Sequence, residues 1–104
     1  MIARIWTGQT KSEDLEEYTD FMKLRAIPDY EQTSGFIKLS FLRGVDNDIA
    51  TFKLITFWEN LEVIKNFAGE DYERAKYYPE DQNYLLNFPT KVKHYEVFSQ
   101  SNLD

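Results

Sequence analysis

The sequence predicts an α+β fold in which two helices pack on one face of a four-stranded antiparallel sheet. Four β-prone segments alternate with two amphipathic helical segments in the order β-α-β-β-α-β. Residues along the strands alternate between a clearly apolar set and a mixed set, as expected for a sheet with one covered face. The chain of 104 residues suits a single core, so we expect residues 1–104 to form one domain.

The first half of the chain contains a strand and a helix. Residues 1–9 are β-prone and apolar enough for a buried strand. Thr10 and Glu13 have the spacing of a capping box, which predicts that the helix starts there. Pro28 predicts its end, because the residue before a proline is pushed out of helical geometry. The apolar stripe of this helix is formed by Leu15, Tyr18, Phe21, Met22 and Ala26.

The second half completes the pattern. Residues 44–48 have the composition of a hairpin turn, and Asn60 is a predicted N-cap. Residues 71–89 form a polar, tyrosine-rich and irregular segment, and residues 99–104 are expected to fray. The remaining predicted elements are strands over residues 36–43, 49–59 and 92–98 and a helix over residues 61–68. This order of elements, with both helices on one sheet face, is the ferredoxin-like fold.

The two faces of the sheet predict a homodimer. We assign the apolar set to the helices; it contains Met1, Ala3, Ile5, Ile37, Leu39, Phe41, Ala50, Phe52, Leu54, Thr56, Trp58, Tyr95 and Val97. The mixed set carries charges, yet it also holds Trp6, Phe36, Phe57 and Phe98, which is too much ring surface to leave in water. Packing two such faces together would bury these rings. We therefore expect two chains to form a dimeric α/β barrel.

Composition excludes several classes of function. Lys and Arg number 12 against 18 Asp and Glu, and the net charge of −6 argues against a nucleic-acid partner. The chain has no Cys, which excludes disulfides, a thiolate nucleophile and zinc held by sulfur. Metal ligands are not clustered, so we expect no metal site. No apolar run suits a signal peptide or a membrane span, so we expect a cytoplasmic protein without membrane association.

Three short segments resemble a known family. The stretch Ile55–Asn60 (ITFWEN) runs from the third strand into the second helix and resembles the antibiotic biosynthesis monooxygenase family of dimeric α/β barrels. Residues 77–81 (YYPED) and 94–97 (HYEV) resemble uncharacterised bacterial members of that family. The resemblance spans about the whole chain. It implies the dimeric barrel fold and a monooxygenase-like enzyme that oxidises an aromatic or quinol-like small molecule with O₂, without a metal or flavin cofactor.

A haem-degrading branch of the same superfamily is similar in outline. That branch carries an Asn on the first strand, a Trp on the second helix and an axial His just after it. Here the first strand has no Asn, Phe67 stands near the Trp position and Tyr77 stands near the His position. We therefore expect no haem and no other cofactor.

Two residues are the catalytic candidates. His94 is the only imidazole in the chain and is the natural general base near neutral pH. The alternative is that it is hydrogen-bonded across the dimer or solvated. Tyr77 belongs to the irregular tyrosine-rich segment, which could form a lid over a binding site or merely cover one end of the sheet. Arg4, Lys38 and Lys53 could orient an anionic ligand or pair with acidic residues.

Four aromatic residues are the substrate-binding candidates. Trp58 and Phe67 could contact a substrate, although both also suit the core between the second helix and the sheet. Tyr72 shares the two alternatives of the tyrosine-rich segment. Tyr95 is expected on the helix side, with a buried hydroxyl that needs a partner.

The sequence leaves three functions open. They are the monooxygenase-like enzyme, a non-catalytic dimeric barrel that binds a small ligand or acts in a stress response, and a cyclase or isomerase. An enzyme predicts an enclosed cavity with convergent polar groups, whereas a purely structural dimer predicts a filled one.

Overall fold

A four-stranded antiparallel sheet forms the centre of the computed structural model, which describes residues 1–101. The strands are β1 (Ile2–Lys11), β2 (Phe36–Asp46), β3 (Ile49–Trp58) and β4 (Lys93–Glu96). Their order across the sheet is β2-β3-β1-β4. The predicted ferredoxin-like βαββαβ fold is confirmed. The predicted fraying of residues 99–104 falls partly outside the described residues.

The helices lie on one face of this sheet. A helical arm, which we define as Ser12–Glu31, follows β1. It consists of a 3₁₀ turn (Ser12–Asp14), helix α1 (Leu15–Phe21), a π-helical segment (Met22–Ala26) and helix α2 (Ile27–Glu31). Helix α3 (Leu61–Ala68) follows β3, and a 3₁₀ helix (Pro79–Asn83) precedes β4.

Both predicted boundaries of the first helix are wrong. β1 continues to Lys11, and the Thr10 hydroxyl donates to the Lys11 carbonyl at 2.8 Å instead of capping the helix. Pro28 lies inside the arm rather than at its end. The π-helical segment pairs the N–H of Ile27 with the carbonyl of Met22, five residues earlier. Pro28 then occupies the first turn of α2, where a missing N–H is tolerated.

The predicted cap of α3 is present and can be tested. The Asn60 side-chain oxygen accepts a hydrogen bond from the Val63 N–H at 3.1 Å. Asn60→Ala is expected to lower the free energy of unfolding by about 1 kcal/mol, because one N–H of the first turn loses its acceptor. Urea unfolding measures this. Asn66→Ala, at an exposed position of the same helix, should change stability by less than about 0.5 kcal/mol; equal losses in both variants would contradict the capping role.

The predicted phase of β3 is confirmed, but those of β1 and β4 are wrong. Phe52, Leu54, Thr56 and Trp58 are buried under the helices as expected. β1 pairs Arg4 with Thr56 and Trp6 with Leu54, and directly opposed residues share a face. Arg4 and Trp6 therefore face the helices, and Ala3 and Ile5 do not.

Because β4 is paired with β1, the faces of β4 are reversed in the same way, and His94 and Tyr95 lie on the faces opposite to those predicted. His94 is paired with Arg4 and lies on the helix side, whereas Tyr95 is paired with Ala3 and is 51% exposed on the opposite side. The prediction sorted residues by their alternation along each strand and assigned the more apolar set to the helix side. The register with β3, which the sequence alone does not show, decides the face instead.

The sheet surface opposite the helices is named the open face. Its apolar residues are Ala3, Ile5, Leu42, Ile55, Phe57 and Tyr95. Of the four rings predicted for this face, three lie elsewhere: Trp6 is buried under the helices, Phe36 packs edge-on against Trp58 at 5.3 Å, and Phe98 follows the end of β4 and is 93% exposed. Phe57 remains on the open face, with the Lys38 ammonium 5.0 Å from its ring. Dimerisation through this face stays a prediction.

Candidate functional site

A small enclosed cavity lies between the sheet and the helical arm, and we name it the Arg4 pocket. Its volume is about 10 Å³, which is room for about one water molecule. Aromatic rings and buried polar groups share its wall. The lining residues that matter chemically are Arg4, Trp6, Tyr18, Tyr30, Tyr78 and Asp81.

Arg4 is a buried cation without an ion-pair partner. Arg4 is only 2% exposed. Within residues 1–101, no carboxylate lies within 4.0 Å of its guanidinium. One terminal nitrogen donates to the Arg74 carbonyl at 3.2 Å, whereas Nε has no partner in the described part of the chain. Burial lowers the pKa of Arg4, with the Tyr30 phenol opposing this, but a guanidinium stays charged near neutral pH.

Trp6 forms one wall of the pocket because its strand neighbour on the same face is Gly8. A Cβ at Gly8 would lie 2.3 Å from the Trp6 ring, so no larger residue fits there while the ring keeps this position. The Trp6 indole meets the Tyr77 ring edge-on at 6.4 Å. Its Nε1 has no hydrogen-bond partner among the described residues.

Asp81 organises the opposite wall. Its two oxygens accept hydrogen bonds from the Tyr18 hydroxyl at 2.8 Å and from the Tyr78 N–H at 2.7 Å. Burial raises the pKa of Asp81, and these two bonds oppose that rise. Burial and the nearby Asp81 raise the pKa of Tyr18, and burial raises the pKa of Tyr30 to about 12. Both phenols therefore stay protonated. The Tyr18 proton is donated to Asp81, so of the two hydroxyls it is that of Tyr30 that can donate a hydrogen bond to a ligand.

A strap of residues 75–85 closes the pocket. Its contacts with the helical arm are Tyr78 Oη to Asp29 Oδ2, Arg25 to Glu80 at 2.7 Å, and Tyr84 Oη to Glu17 at 3.0 Å. The Lys76 ammonium adds a 3.7 Å contact with the Asp29 carboxylate. The predicted tyrosine-rich segment thus lies against the Arg4 pocket, and Lys76, Tyr78 and Asp81 of the strap form part of its wall.

His94 lies beside the pocket at the edge of the sheet. It is the cross-strand partner of Arg4, and its ring meets the edge of the Tyr72 ring at 5.2 Å. Its Nε2 is buried, and no residue between 1 and 101 forms a hydrogen bond with it. Burial lowers the pKa of His94, the Arg4 charge lowers it further, and Glu73 opposes both. The imidazole is therefore neutral near pH 7 and able to accept a proton.

The candidate site residues fall into three places. His94, Tyr72 and Tyr95 line one surface groove of about 350 Å³ between α3 and β4. Tyr77 packs against Trp6, and its hydroxyl donates to the Pro89 carbonyl at 2.5 Å; burial raises the pKa of this hydroxyl. Trp58 is fully buried and does not line the Arg4 pocket.

Phe67 lies between the Arg4 pocket and the surface. Its ring is stacked on Tyr30 with centroids 4.3 Å apart, and the Arg4 guanidinium lies 5.5 Å from its centroid. Phe67 also lines an open groove of about 450 Å³ together with Lys76 and Asn66. It is therefore both a core residue and a pocket neighbour.

Four pocket residues were not among the sequence-based candidates: Trp6, Tyr18, Tyr30 and Asp81. Tyr18 was identified only as part of the core stripe, and Tyr30 was hidden because Pro28 predicted the end of the helix before it. Nothing in the sequence around Asp81 indicates that it is buried, since its partner Tyr18 is 63 residues away.

Within residues 1–101, no group of three or more His, Asp or Glu side chains could hold a metal ion. The described helices include none that is long and apolar enough to cross a membrane.

Comparison with solved structures places this geometry in a known fold. A candidate antibiotic biosynthesis monooxygenase from Bacillus cereus superposes with a TM-score of 0.68 at 18% identity, over 98% of this chain and 97% of the other. A Nitrosomonas europaea protein of unknown function gives a TM-score of 0.71 at 14% identity, over 99% and 94%. The haem degrader MhuD from Mycobacterium tuberculosis, with two haems bound, gives 0.66 at 18% identity, over 98% and 100%.

The chain has the antibiotic biosynthesis monooxygenase-like fold. The resemblance seen in the sequence is thereby confirmed, and the identities below 20% limit it to the fold. No family model matches the sequence, and no curated protein matches it.

Proposed function

We propose that the protein is a monooxygenase-like enzyme that oxidises an aromatic or quinol-like small molecule with O₂ and without a cofactor. One observation carries this proposal: an enclosed pocket in which aromatic walls surround buried polar groups, with Trp6 and Tyr30 beside Arg4 and Asp81. Its walls and polar groups suit a flat aromatic ring once movement of the strap has enlarged the pocket, since the walls exclude water and the polar groups fix orientation. The fold shared with a candidate monooxygenase supports it.

The proposed reaction starts with loss of a proton from the substrate. The resulting anion passes one electron to O₂, which gives an organic radical and superoxide. These two combine to form a C–O bond, and the peroxide anion takes up a proton. For a ring CH₂ group, the O–O bond then breaks with loss of water and leaves a carbonyl. One oxygen atom of O₂ enters the product and the other leaves as water.

In this reaction the substrate extends from the opened Arg4 pocket to the neighbouring groove, where His94, the cross-strand partner of Arg4, takes its proton. Its imidazole is held neutral by burial and by the neighbouring Arg4, and Nε2 is free of other partners within residues 1–101. The Tyr30 hydroxyl orients the ring from the helical arm, while the Tyr18 hydroxyl stays hydrogen-bonded to Asp81. Because the Arg4 pocket has room for about one water molecule, substrate binding requires the strap to move away from the arm.

Haem, which MhuD holds, does not fit the residues present here. Tyr77 stands near the position of the iron-binding His of the haem-degrading branch, and its hydroxyl donates a hydrogen bond to the Pro89 carbonyl. His94 lies at the sheet edge, in a separate groove from the Arg4 pocket. We therefore assign no step to haem.

The role of His94 can be tested by O₂ uptake with a panel of dihydroxyaromatic and anthrone-like substrates. His94→Ala is expected to lower the rate by about 10²-fold, the low end of what a general base contributes. In the wild-type protein, activity should rise with pH and level off below the ordinary histidine pKa, because the pKa of His94 is lowered and its neutral form is the base.

Lys23→Ala is the control for this experiment, since Lys23 is exposed on the helical arm. An unchanged rate in His94→Ala would remove His94 from the mechanism. If the wild-type protein gives no O₂ uptake above the uncatalysed rate with any substrate of the panel, the oxygenase proposal itself is wrong.

A second function has support of its own. The Arg4 pocket is nearly filled by the chain, as expected of a non-catalytic barrel that binds a small ligand when the strap opens. Ligand binding without O₂ consumption would identify this binding protein.

We also propose that residues 1–104 act as one domain, that two copies form a homodimer through the open face, and that the protein works in the cytoplasm. The exposed Leu42 and Tyr95 side chains on the open face support the dimer.

A further inference from the structure

Three of the seven tyrosines donate a hydrogen bond from their hydroxyl to a carboxylate. The pairs are Tyr18 with Asp81 at 2.8 Å, Tyr84 with Glu17 at 3.0 Å, and Tyr78 with Asp29. The remaining tyrosines have no carboxylate partner within residues 1–101. A phenol that loses an electron becomes a strong acid, so it is oxidised readily only where a base within hydrogen-bond reach takes its proton. The three paired tyrosines are therefore the ones best suited to one-electron oxidation.

The rings of Tyr18 and Tyr84 connect the Arg4 pocket with the surface. Tyr18 lines the pocket and is only 1% exposed. Its ring centroid lies 5.4 Å from that of Tyr84, whose hydrogen bond to Glu17 lies at the protein surface. Phe21 packs against both rings, at 5.8 Å and 6.2 Å, and holds them in place. An electron that leaves the surface ring thus reaches the pocket in one short step.

Two other tyrosines near the pocket lack such a proton acceptor. Tyr30 lies beside the Arg4 guanidinium, and a neighbouring cation opposes the loss of an electron. Tyr77 meets the Trp6 ring edge-on at 6.4 Å, but its hydroxyl donates to a backbone carbonyl, which is too weak a base to take the proton. Ring contact with Trp6 favours Tyr77 as an electron donor, whereas the need for a base favours Tyr18.

We propose that Tyr18 and Tyr84 form a path that carries an oxidising equivalent from the Arg4 pocket to the surface, where a small reductant in solution removes it. The natural oxidant is an oxygen-centred radical, formed when the O–O bond of an organic peroxide in the pocket breaks evenly. Only this source of the oxidant rests on the proposed function. Discharge at the surface protects the buried aromatic walls of the pocket from covalent oxidation.

Each step of this path moves one electron and one proton. In the first step Tyr18 gives an electron to the radical, which becomes an alkoxide and takes a proton from water, while the phenolic proton passes to Asp81 Oδ1. In the second step Tyr84 gives an electron to the Tyr18 radical. Asp81 then returns its proton to Tyr18, and the Tyr84 proton passes to Glu17. A reductant such as ascorbate supplies one electron to Tyr84 and releases one proton to water, and Glu17 returns the phenolic proton.

The path can be tested by photoionisation of Trp6 in the full-length protein, without O₂ or substrate. Trp58→Phe leaves Trp6 as the sole tryptophan, and a scavenger in solution removes the ejected electron. The Trp6 radical forms in the wall of the same pocket as Tyr18 and is a strong enough oxidant for a tyrosine. We expect its absorption to be replaced by that of a tyrosyl radical. A nitroso spin trap in solution is expected to attach at Tyr84, which mass spectrometry locates.

Phenylalanine variants in the same Trp58→Phe protein separate the two steps. Tyr18→Phe is expected to leave the Trp6 radical long-lived and Tyr84 unlabelled. Tyr84→Phe is expected to leave a buried tyrosyl radical, which electron paramagnetic resonance detects and the trap does not reach. Tyr77→Phe is the matched control, and it should leave the labelling of Tyr84 unchanged.

Asp81→Asn tests the role of the proton acceptor. Asparagine has nearly the same shape but is not a base, so tyrosyl radical formation is expected to slow by about 10²-fold, the low end of what a positioned base contributes. Undiminished labelling of Tyr84 in Tyr18→Phe, or its loss in Tyr77→Phe, would overturn the proposal. The carboxylates would then only hold the strap to the helical arm.

If the variants of the buried Tyr18–Asp81 pair do not fold, Tyr84→Phe decides, because Tyr84 is only partly buried. Trap attached to another tyrosine in that variant, or no tyrosyl radical at all, contradicts the path. Failure of the path and failure of the oxygenase are distinguishable. Labelling of Tyr84 without O₂ uptake by any substrate leaves the path standing and contradicts the oxygenase, and O₂ uptake without labelling does the reverse.

Discussion

Wild-type protein at micromolar concentration is expected to show about twice the 12.4 kDa chain mass in light scattering, and Phe57→Glu to show the chain mass or to misfold. Phe57 lies on the open face beside Ala3, its cross-strand partner. In a dimer built on this face, an introduced carboxylate would be buried without a partner. Such a group costs several kcal/mol, which exceeds what a modest interface can absorb.

Leu24→Glu is the control for this prediction. Leu24 is 82% exposed on the helical arm, on the other side of the sheet, so the same chemical change there should leave the mass unchanged. A monomeric wild-type protein would contradict the predicted dimeric α/β barrel. Loss of the dimer in both variants would show that general destabilisation, rather than the open face, is responsible.

Trp58→Ala is expected to lower the free energy of unfolding by about 3 to 5 kcal/mol. The residue has 0% exposure and packs against Phe36 at 5.3 Å, Phe67 at 5.7 Å and Tyr30 at 6.2 Å. Its indole N–H donates to the Thr56 hydroxyl at 2.8 Å. Removing the ring leaves a cavity that four packed elements cannot easily close.

Urea unfolding of Trp58→Ala and Trp58→Phe measures this effect. The phenylalanine variant keeps most of the packing and should lose less than the alanine variant. Measuring ligand binding by the same variants addresses the alternative that Trp58 contacts a substrate. A stable Trp58→Ala protein with lost ligand binding would favour that alternative over a core role.

The fold could be predicted because its evidence is local. The periodicity of residues 61–68, the cap at Asn60 and the hairpin composition between β2 and β3 each depend on neighbours in sequence. These signals determine the order of elements. That order, combined with the apolar side of β3, is enough for a ferredoxin-like sheet with helices on one face.

The site could not be predicted to the same extent, because it is built from long-range pairings. The face of Arg4 depends on its register opposite Thr56, and a shift of one residue would have exchanged Arg4 with Ile5. Polarity alone argues for Arg4 outside and Ile5 inside. His94 was correctly chosen as chemically suitable, but its place beside Arg4 follows from the β1–β4 register.

The π-helical segment has a consequence for chain length. The buried hydrophobic residues of the helical arm recur every four positions: Tyr18, Met22, Ala26 and Tyr30. In a straight α-helix each such step overshoots a full turn by about 40°, so Tyr30 would lie about 120° around the axis from Tyr18. The wider π-helical turn takes in one more residue and offsets part of that rotation. The arm therefore contains one residue more than a regular α-helix would need to bring Tyr30 under Tyr18. In an arm shortened by one residue within the π-helical segment, Tyr30 would stand eleven residues after Tyr18, about 20° from it around the axis of a regular α-helix, and would stay on the buried side.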